Sequence, residues 1–244
     1  MDAAPKSVSS SSDKPPGDSL HFPTGILSFY DILILGIYCP YIWGCPASTE
    51  LTAFLNSRIA TAISRSSPRP CRILDIGVGT GYFLERAPLD DVKEITLLDI
   101  NAECLDAAAL RAQKAHPHIE CTKVQANFLE PIAAEKLGGQ FDIISLGLLL
   151  HCLPGPPARK ADALVRLRDL LTKDGVLFGF TILGKDAAHS LMAKALLWFH
   201  NTIGVFDNYE DGVASFVKPL EEAFEAVNWR IVGSMLLFEA SKPK

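Results

Sequence analysis

From residue 71 onward, apolar positions fall into short blocks separated by longer stretches of helical spacing. The blocks RILDIG (72–77), EITLLD (94–99), CTKVQ (121–125), FDIISLG (141–147) and GVLFGFT (175–181) are compact and rich in β-branched or aromatic residues, and are predicted as five strands. Between them, AECLDAAALRAQKA (102–115) and ARKADALVRLRDLLTK (158–173) repeat apolar residues at the spacing of one helix face, and a short helical turn follows Gly81. Alternating strands and helices predict βαβ units: a mostly parallel sheet with helices on both faces. After the fifth strand, AAHSLMAKALLWFHN (187–201) reads as a helix and TIGVFDNYEDG as a loop. WRIVGSMLLFEA (229–240) then supplies one or two closing edge strands, one of them antiparallel.

The N-terminal part departs from this rhythm. Residues 1–19, MDAAPKSVSSSSDKPPGDS, are rich in Ser and Pro, lack the apolar run of a signal peptide, and predict a tail too polar to order itself. The following stretch GILSFYDILILGIYCPYIWGC (25–45) approaches the length of a membrane span. Asp31 inside it, Pro40, and the missing basic flank predict instead a helix and aromatic loop packed onto the domain.

Composition narrows the class of partner. The chain has 244 residues, 48% of them hydrophobic, enough to bury one α/β core of ordinary size. A net charge of −5 with scattered basic residues argues against nucleic acid or an anionic membrane, and favours a small neutral or apolar partner. Six cysteines without a CxxC pair predict neither a disulfide framework nor a zinc site, and so a reduced, cytoplasmic protein.

The chemistry begins at ILDIGVGTGYF (73–83). A strand running into glycines and then a helix lays backbone amides bare against a ligand. Two ligand classes compete. A dinucleotide site uses GxGxxG, whereas here Gly77, Gly79 and Gly81 give GxGxG and Tyr82 occupies the third glycine's place. Asp75 would repel a pyrophosphate at short range and suits a cationic ligand such as S-adenosyl-L-methionine, with its ammonium and sulfonium groups. Asp99 ends the second strand, where an acid accepts ribose hydroxyls in either class. At the end of the third strand the Asn127 amide is placed to pair with an adenine edge and Phe128 to cover its face; the alternative is that Asn127 caps a turn.

DIGVGTGYF with Asp99, FDIISLGLLLHCLPGP and GVLFGFTILG resemble the class I S-adenosylmethionine-dependent methyltransferases that act on small molecules, over roughly residues 25–240. The resemblance implies a Rossmann-like seven-stranded sheet with one antiparallel strand. Gly77, Gly79, Gly81, Asp99, Asn127 and backbone near Leu146 would line the cofactor, joined by Val78 and Ile100 beside them. An aromatic segment with Tyr30, Asp31, Trp43, Cys45 and Pro46 is similar to one in small enzymes of fungal and bacterial secondary metabolism. Tyr30 and Trp43 are expected over the cofactor, with Tyr38, Tyr41, Trp198, His200 and Phe206 lining the substrate. One domain (20–244) then divides into an N-terminal lid (20–70), a cofactor-binding core (71–182) and a substrate-covering segment with the closing strands (183–244).

The expected reaction is in-line methyl transfer to O, N, S or C of a small, apolar metabolite, achieved mainly by positioning. His151 is the residue placed to act as a base; its bland alternative is a helix-start histidine bonded to the LPGPP loop. No metal is called for. Two rival functions are a protein that keeps the cofactor but catalyses rearrangement, cyclisation or elimination, and, more remotely, a nicotinamide-dependent oxidoreductase.

Overall fold

A computed structural model describes residues 29–66 and 69–244. The expected tail and the first residues of the aromatic segment, 25–28, lie outside the described residues.

The five expected strands form where the apolar blocks stand: β1 (Cys71–Ile76), β2 (Val92–Asp99), β3 (Glu120–Gln125), β4 (Phe141–Gly147) and β5 (Leu171–Ile182). The closing run makes two more, β6 (Phe224–Val232) and β7 (Met235–Pro243), joined at Gly233 and Ser234. They build one sheet in the order β3-β2-β1-β4-β5-β7-β6, parallel through β5 and antiparallel on both sides of β7. Strand order reverses between β1 and β4, and the crevice at the carboxyl ends there is where open α/β sheets bind ligands.

The two-residue period of each strand sorts side chains between two apolar layers. On one face Ile73, Ile95, Leu97, Ile143, Phe178 and Phe180 pack against α2 (Thr52–Ser66) and α4 (Ala102–Ala115). On the other, Leu74, Ile76, Leu98, Ile144, Leu146 and Leu177 meet α5 (Pro157–Arg166) and α7 (Val213–Ala223). Asp75 and Asp99 follow Ile73 and Leu97 by two residues, so alternation places both acids on the α2/α4 side.

Helix ends follow local capping chemistry. Asn101 accepts the Glu103 N–H at 2.8 Å and starts α4 at the expected residue. Ser190 accepts the Ala193 N–H at 3.1 Å and starts α6 (Leu191–Thr202) four residues later than the apolar spacing alone predicts. The helix expected over 158–173 instead ends at Arg166, passes through a 3-10 turn (Leu167–Leu170) and enters β5 at Leu171.

The segment with Asp31 folds as α1 (Asp31–Ile42), wound in the wider π form with Pro40 inside it, and a further π turn (Ala47–Leu51) leads into α2. Leu35 and Cys39 are buried against the domain. Among the described residues no single helix is long and apolar enough to cross a membrane; α1 meets Ala47–Ser66 at a bend of 100°.

Loop 203–212 is fastened by a fully buried ion pair. Lys160 on α5 donates to Asp211 at 2.7 Å and to the Asp207 carbonyl at 2.5 Å, with neither Lys160 nor Asp211 in contact with water. The Asn208 amide donates to the Ile182 carbonyl at 3.0 Å. Removing one ion of such a pair strands the other. Lys160→Met should therefore cost about 3–5 kcal/mol in urea denaturation, and adding Asp211→Leu should restore a large part of that loss.

Candidate active site

At the carboxyl ends of β1, β2 and β4 lies a cavity of about 190 Å³, lined by Asp75, Asp99, Ser145, Gly147 and the glycine loop, together with Tyr30 at the start of α1, Leu35 within it, and Leu55 and Ile59 of α2. A larger groove, about 1040 Å³, opens at the other end of the sheet, where Cys71, Lys93 and Glu120 begin or precede their strands. The smaller cavity is the candidate because it sits at the switch point and holds the convergent polar groups.

Gly77, Gly79 and Gly81 all adopt left-handed backbone, with φ of +71°, +50° and +74°. A Cβ on Gly81 would come within 2.8 Å of Ala108 Cα, so this glycine lets the loop touch α4. A Cβ on Gly79 would meet nothing within 4 Å, which leaves bare backbone facing open space.

Both acids are partly buried at the strand ends. Ser145, paired with Asp75 across β1 and β4, donates its hydroxyl to Asp75 at 2.5 Å. Burial, opposed by that bond and aided by the charge of Asp99, pushes the Asp75 carboxyl up to about 7. Burial also raises Asp99, against backbone N–H bonds from Asn101, Gly79, Ile100 and Val78. Among the described residues no Lys or Arg lines this cavity, so neither acid has a basic side chain from them as counter-charge there.

The donor set fits S-adenosylmethionine. Two uncompensated acids suit a ligand that brings ammonium, sulfonium and ribose hydroxyls, and the open face of Gly79 leaves backbone for it to approach.

His151 is only 3% exposed. Its Nδ1 accepts the Ile182 N–H at 3.4 Å and lies 3.2 Å from the Thr181 hydroxyl, which leaves the proton on Nε2. Burial, with the Lys160 and His200 charges, pushes it down to about 3, so it remains neutral and is a weak base. Its carbonyl accepts the Asp207 N–H at 3.0 Å, and its ring meets Phe206 edge-on at 4.5 Å. These contacts hold the segment after β4 against β5 and loop 203–212, a placing part rather than an acid–base one.

The other expected residues divide. Tyr30, Asp75, Gly77, Val78, Gly79, Gly81 and Asp99 come together around the cavity. Trp43 does not: it is buried against Phe206, and its carbonyl accepts the Ser234 N–H at 2.7 Å, anchoring the β6–β7 turn. Phe128 lies in the opposite apolar layer, lining a separate cavity with Leu74 and Leu98. The Leu146 side chain belongs to that layer too, while its neighbours Ser145 and Gly147 face the site. Ile100 is partly exposed and its carbonyl accepts from Gln125 at 3.0 Å. Asn127 caps a turn, its Oδ1 accepting the Leu129 N–H at 3.0 Å, and so leaves only its amide nitrogen to offer a ligand.

Of the substrate-lining set, Tyr41 (81% exposed) and Trp198 (62%) face solvent, contrary to expectation, because they fall on the outer faces of α1 and α6. Tyr38, His200 and Phe206 do cluster: the His200 ring is 6.1 Å from Tyr38 and 4.6 Å from Phe206. His200 Nδ1 is buried without a hydrogen bond among the described residues.

Sequence reasoning missed Ser145, Thr80 and the apolar wall of Phe83, Leu148 and Leu149. Ser145 was detectable as the single hydroxyl in the otherwise apolar IISLG. Leu149 was not, because loop backbone sets its direction, and neither was Phe83, since the helical turn after Gly81 is too short for apolar spacing to show which side faces inward. At Gly147 a Cβ would come within 3.0 Å of the Phe180 ring, which occupies that space.

The comparisons agree with the geometry. A family profile described as "Methyltransferase domain" matches residues 74–177. Methyltransferase aurB of Calcarisporium arbuscula is 34% identical over 229 residues, covering 88% of this chain and 92% of that one. The physcion biosynthesis cluster O-methyltransferase of Aspergillus chevalieri is 32% identical over 219 residues, with 90% and 92% covered. In fold, the chain is similar to the N-methyltransferase NodS of Bradyrhizobium japonicum WM9 in complex with S-adenosyl-l-homocysteine, with a TM-score of 0.53, 17% identity, and 78% and 88% of the two chains covered. The chain belongs to the class I S-adenosylmethionine-dependent methyltransferases.

Two glycine substitutions separate packing from ligand contact. Gly81→Ala should lower the melting temperature more than Gly79→Ala, because only the former drives a methyl into α4. Gly79→Ala should instead weaken S-adenosylhomocysteine binding in calorimetry, and equal affinity to wild type would remove Gly79 from the cradle.

Proposed function

We propose that this enzyme methylates a small, largely apolar metabolite, and that Asp75 and Asp99 hold the cofactor from below while Tyr30 covers it. The observation that carries the reading is the pair of partly buried acids around an open glycine cradle, in a pocket lined by no basic side chain among the described residues. The cofactor, when bound, supplies an activated methyl group with its own leaving group. The chain therefore has to bind, orient and dry the two partners.

Each residue's part follows from its chemistry. Asp99 accepts the ribose hydroxyls in exchange for some of its backbone donors. Asp75, steadied by Ser145, faces the positive end. Gly77, Val78, Gly79 and Gly81 present backbone rather than side chains, and the Asn127 amide nitrogen is offered to the adenine. Phe83, Leu148 and Leu149 exclude water where the acceptor arrives. Leu148 is held at φ +57°, a strained setting for a branched-chain residue that is concentrated at functional sites. The acceptor approaches from the side of Tyr38, His200 and Phe206, where the unsatisfied His200 Nδ1 offers one polar contact in apolar surroundings. With His151 neutral and its Nδ1 engaged, an acceptor of low intrinsic pKa, such as an acidic phenol, is favoured. Two curated relatives named as methyltransferases, one of them an O-methyltransferase of a biosynthetic cluster, support an oxygen acceptor.

Titration with S-adenosylmethionine, S-adenosylhomocysteine and NAD tests the ligand: the first two should bind and NAD should not. Incubation of candidate phenols with methyl-labelled cofactor tests transfer, and conversion of a candidate substrate that leaves the labelled cofactor unconsumed and no label on the product would favour the rearrangement alternative. Asp75 adds a pH dependence. Its folded value is raised, so the stability it contributes is present below its ordinary value and is lost as pH rises through about 7. A cationic ligand favours the carboxylate instead, so binding releases a proton. Affinity for S-adenosylmethionine should rise between about pH 6 and 8, and a flat profile would place Asp75 away from the charge.

A further inference from the structure

Asp31 lies one residue beyond the cavity-lining Tyr30, with its carboxylate directed at the glycine loop. Thr80 Oγ1 donates to Asp31 Oδ1 at 2.6 Å. Arg111 on α4 pairs with the other Asp31 oxygen, lies 3.3 Å from the Thr80 hydroxyl, and holds Glu85 through Nε at 2.8 Å and Nη2 at 2.7 Å. The network is shielded: the Asp31 side chain is 14% exposed and Thr80 only 7%. It joins three segments distant in sequence, at residues 31, 80 and 111, on the outer side of the loop whose inner side faces the cavity.

Thr80 sits between Gly79 and Gly81, both left-handed. Glycine samples many backbone states in the absence of restraint, so two glycines flanking one residue leave that residue's side chain as the handle by which the loop can be held. Thr80 is that handle, and Asp31 grips it.

We propose that Asp31 is a positioning residue for the cofactor: by clasping Thr80 it fixes the loop in its binding shape, and the same clasp seats Tyr30 over the cavity. The N-terminal segment thus acts on the cofactor site through a specific acid as well as through apolar cover. The inference rests on the cofactor reading above, and it gives the Tyr30–Asp31 pair of the aromatic segment a physical task.

The test is calorimetric titration of S-adenosylhomocysteine into full-length wild type, Asp31→Asn, Thr80→Val, Thr80→Ser and the Asp31→Asn/Thr80→Val double variant, each checked by thermal melting. The first two single variants should bind about tenfold more weakly, equivalent to about 1.4 kcal/mol. Thr80→Ser, which keeps the hydroxyl, should bind as wild type does. The double variant should be little weaker than the weaker parent, because both changes act on the Asp31–Thr80 contact. Unchanged affinity in Asp31→Asn and Thr80→Val, additive losses in the double variant, failure of Thr80→Ser to bind normally, or loss of folding in Asp31→Asn and Thr80→Val alike would each overturn it. A wild type that binds no S-adenosylhomocysteine would instead overturn the cofactor reading itself.

Discussion

The structure turns on one reversal of the chain. Leaving β1, the backbone must double back to start α3 (Tyr82–Glu85) and approach α4 without putting side chains between itself and a ligand. Three left-handed glycines within five residues accomplish this, since an ordinary residue in that conformation costs roughly 1–2 kcal/mol. Gly77 N–H donates to the Leu98 carbonyl at 2.8 Å, which ties the reversal to β2 and sets Asp75 and Asp99 on one side of it. The cavity, the placement of both acids and the contact with α4 follow from that tie.

Much of the fold was legible because sheet and helix periods are written in apolar positions. The five strand blocks lie within a few residues of their observed bounds, and Asp75, Asp99 and the glycines were identifiable because a strand's end has only one local geometry to offer. What eluded sequence reasoning depended on direction in loops or on the outer faces of helices. Phe128 follows a turn whose Asn127 cap sends the ring to the opposite layer. Trp43 follows α1 at a point where Gly44 and Gly233 allow two backbones to approach, and it becomes a buried post for the β6–β7 turn. Trp198 belongs to an apolar helix, but apolar spacing does not say which of several large residues faces inward.

His151 shows the same limit in chemistry. Its place after β4 marks it for the site in sequence, yet its usefulness as a base depends on Ile182, Thr181 and Lys160, which approach from β5 and α5. A histidine with its acceptor nitrogen engaged and its charge opposed by burial serves geometry. Methyl transfer tolerates this arrangement, because a cofactor with a built-in leaving group asks the protein for alignment more than for proton movement.

The distribution of charge extends that economy. Outside the loop, Arg111 answers both Asp31 and Glu85, and deep behind it Lys160 answers Asp211. Inside the cavity, Asp75 and Asp99 receive hydroxyl and backbone donors but no cation from the described residues, and burial raises both carboxyls. Two acids set close together in low-dielectric surroundings favour a positively charged ligand over a negatively charged one. A dinucleotide, with its anionic pyrophosphate, would add to the repulsion where a sulfonium relieves it.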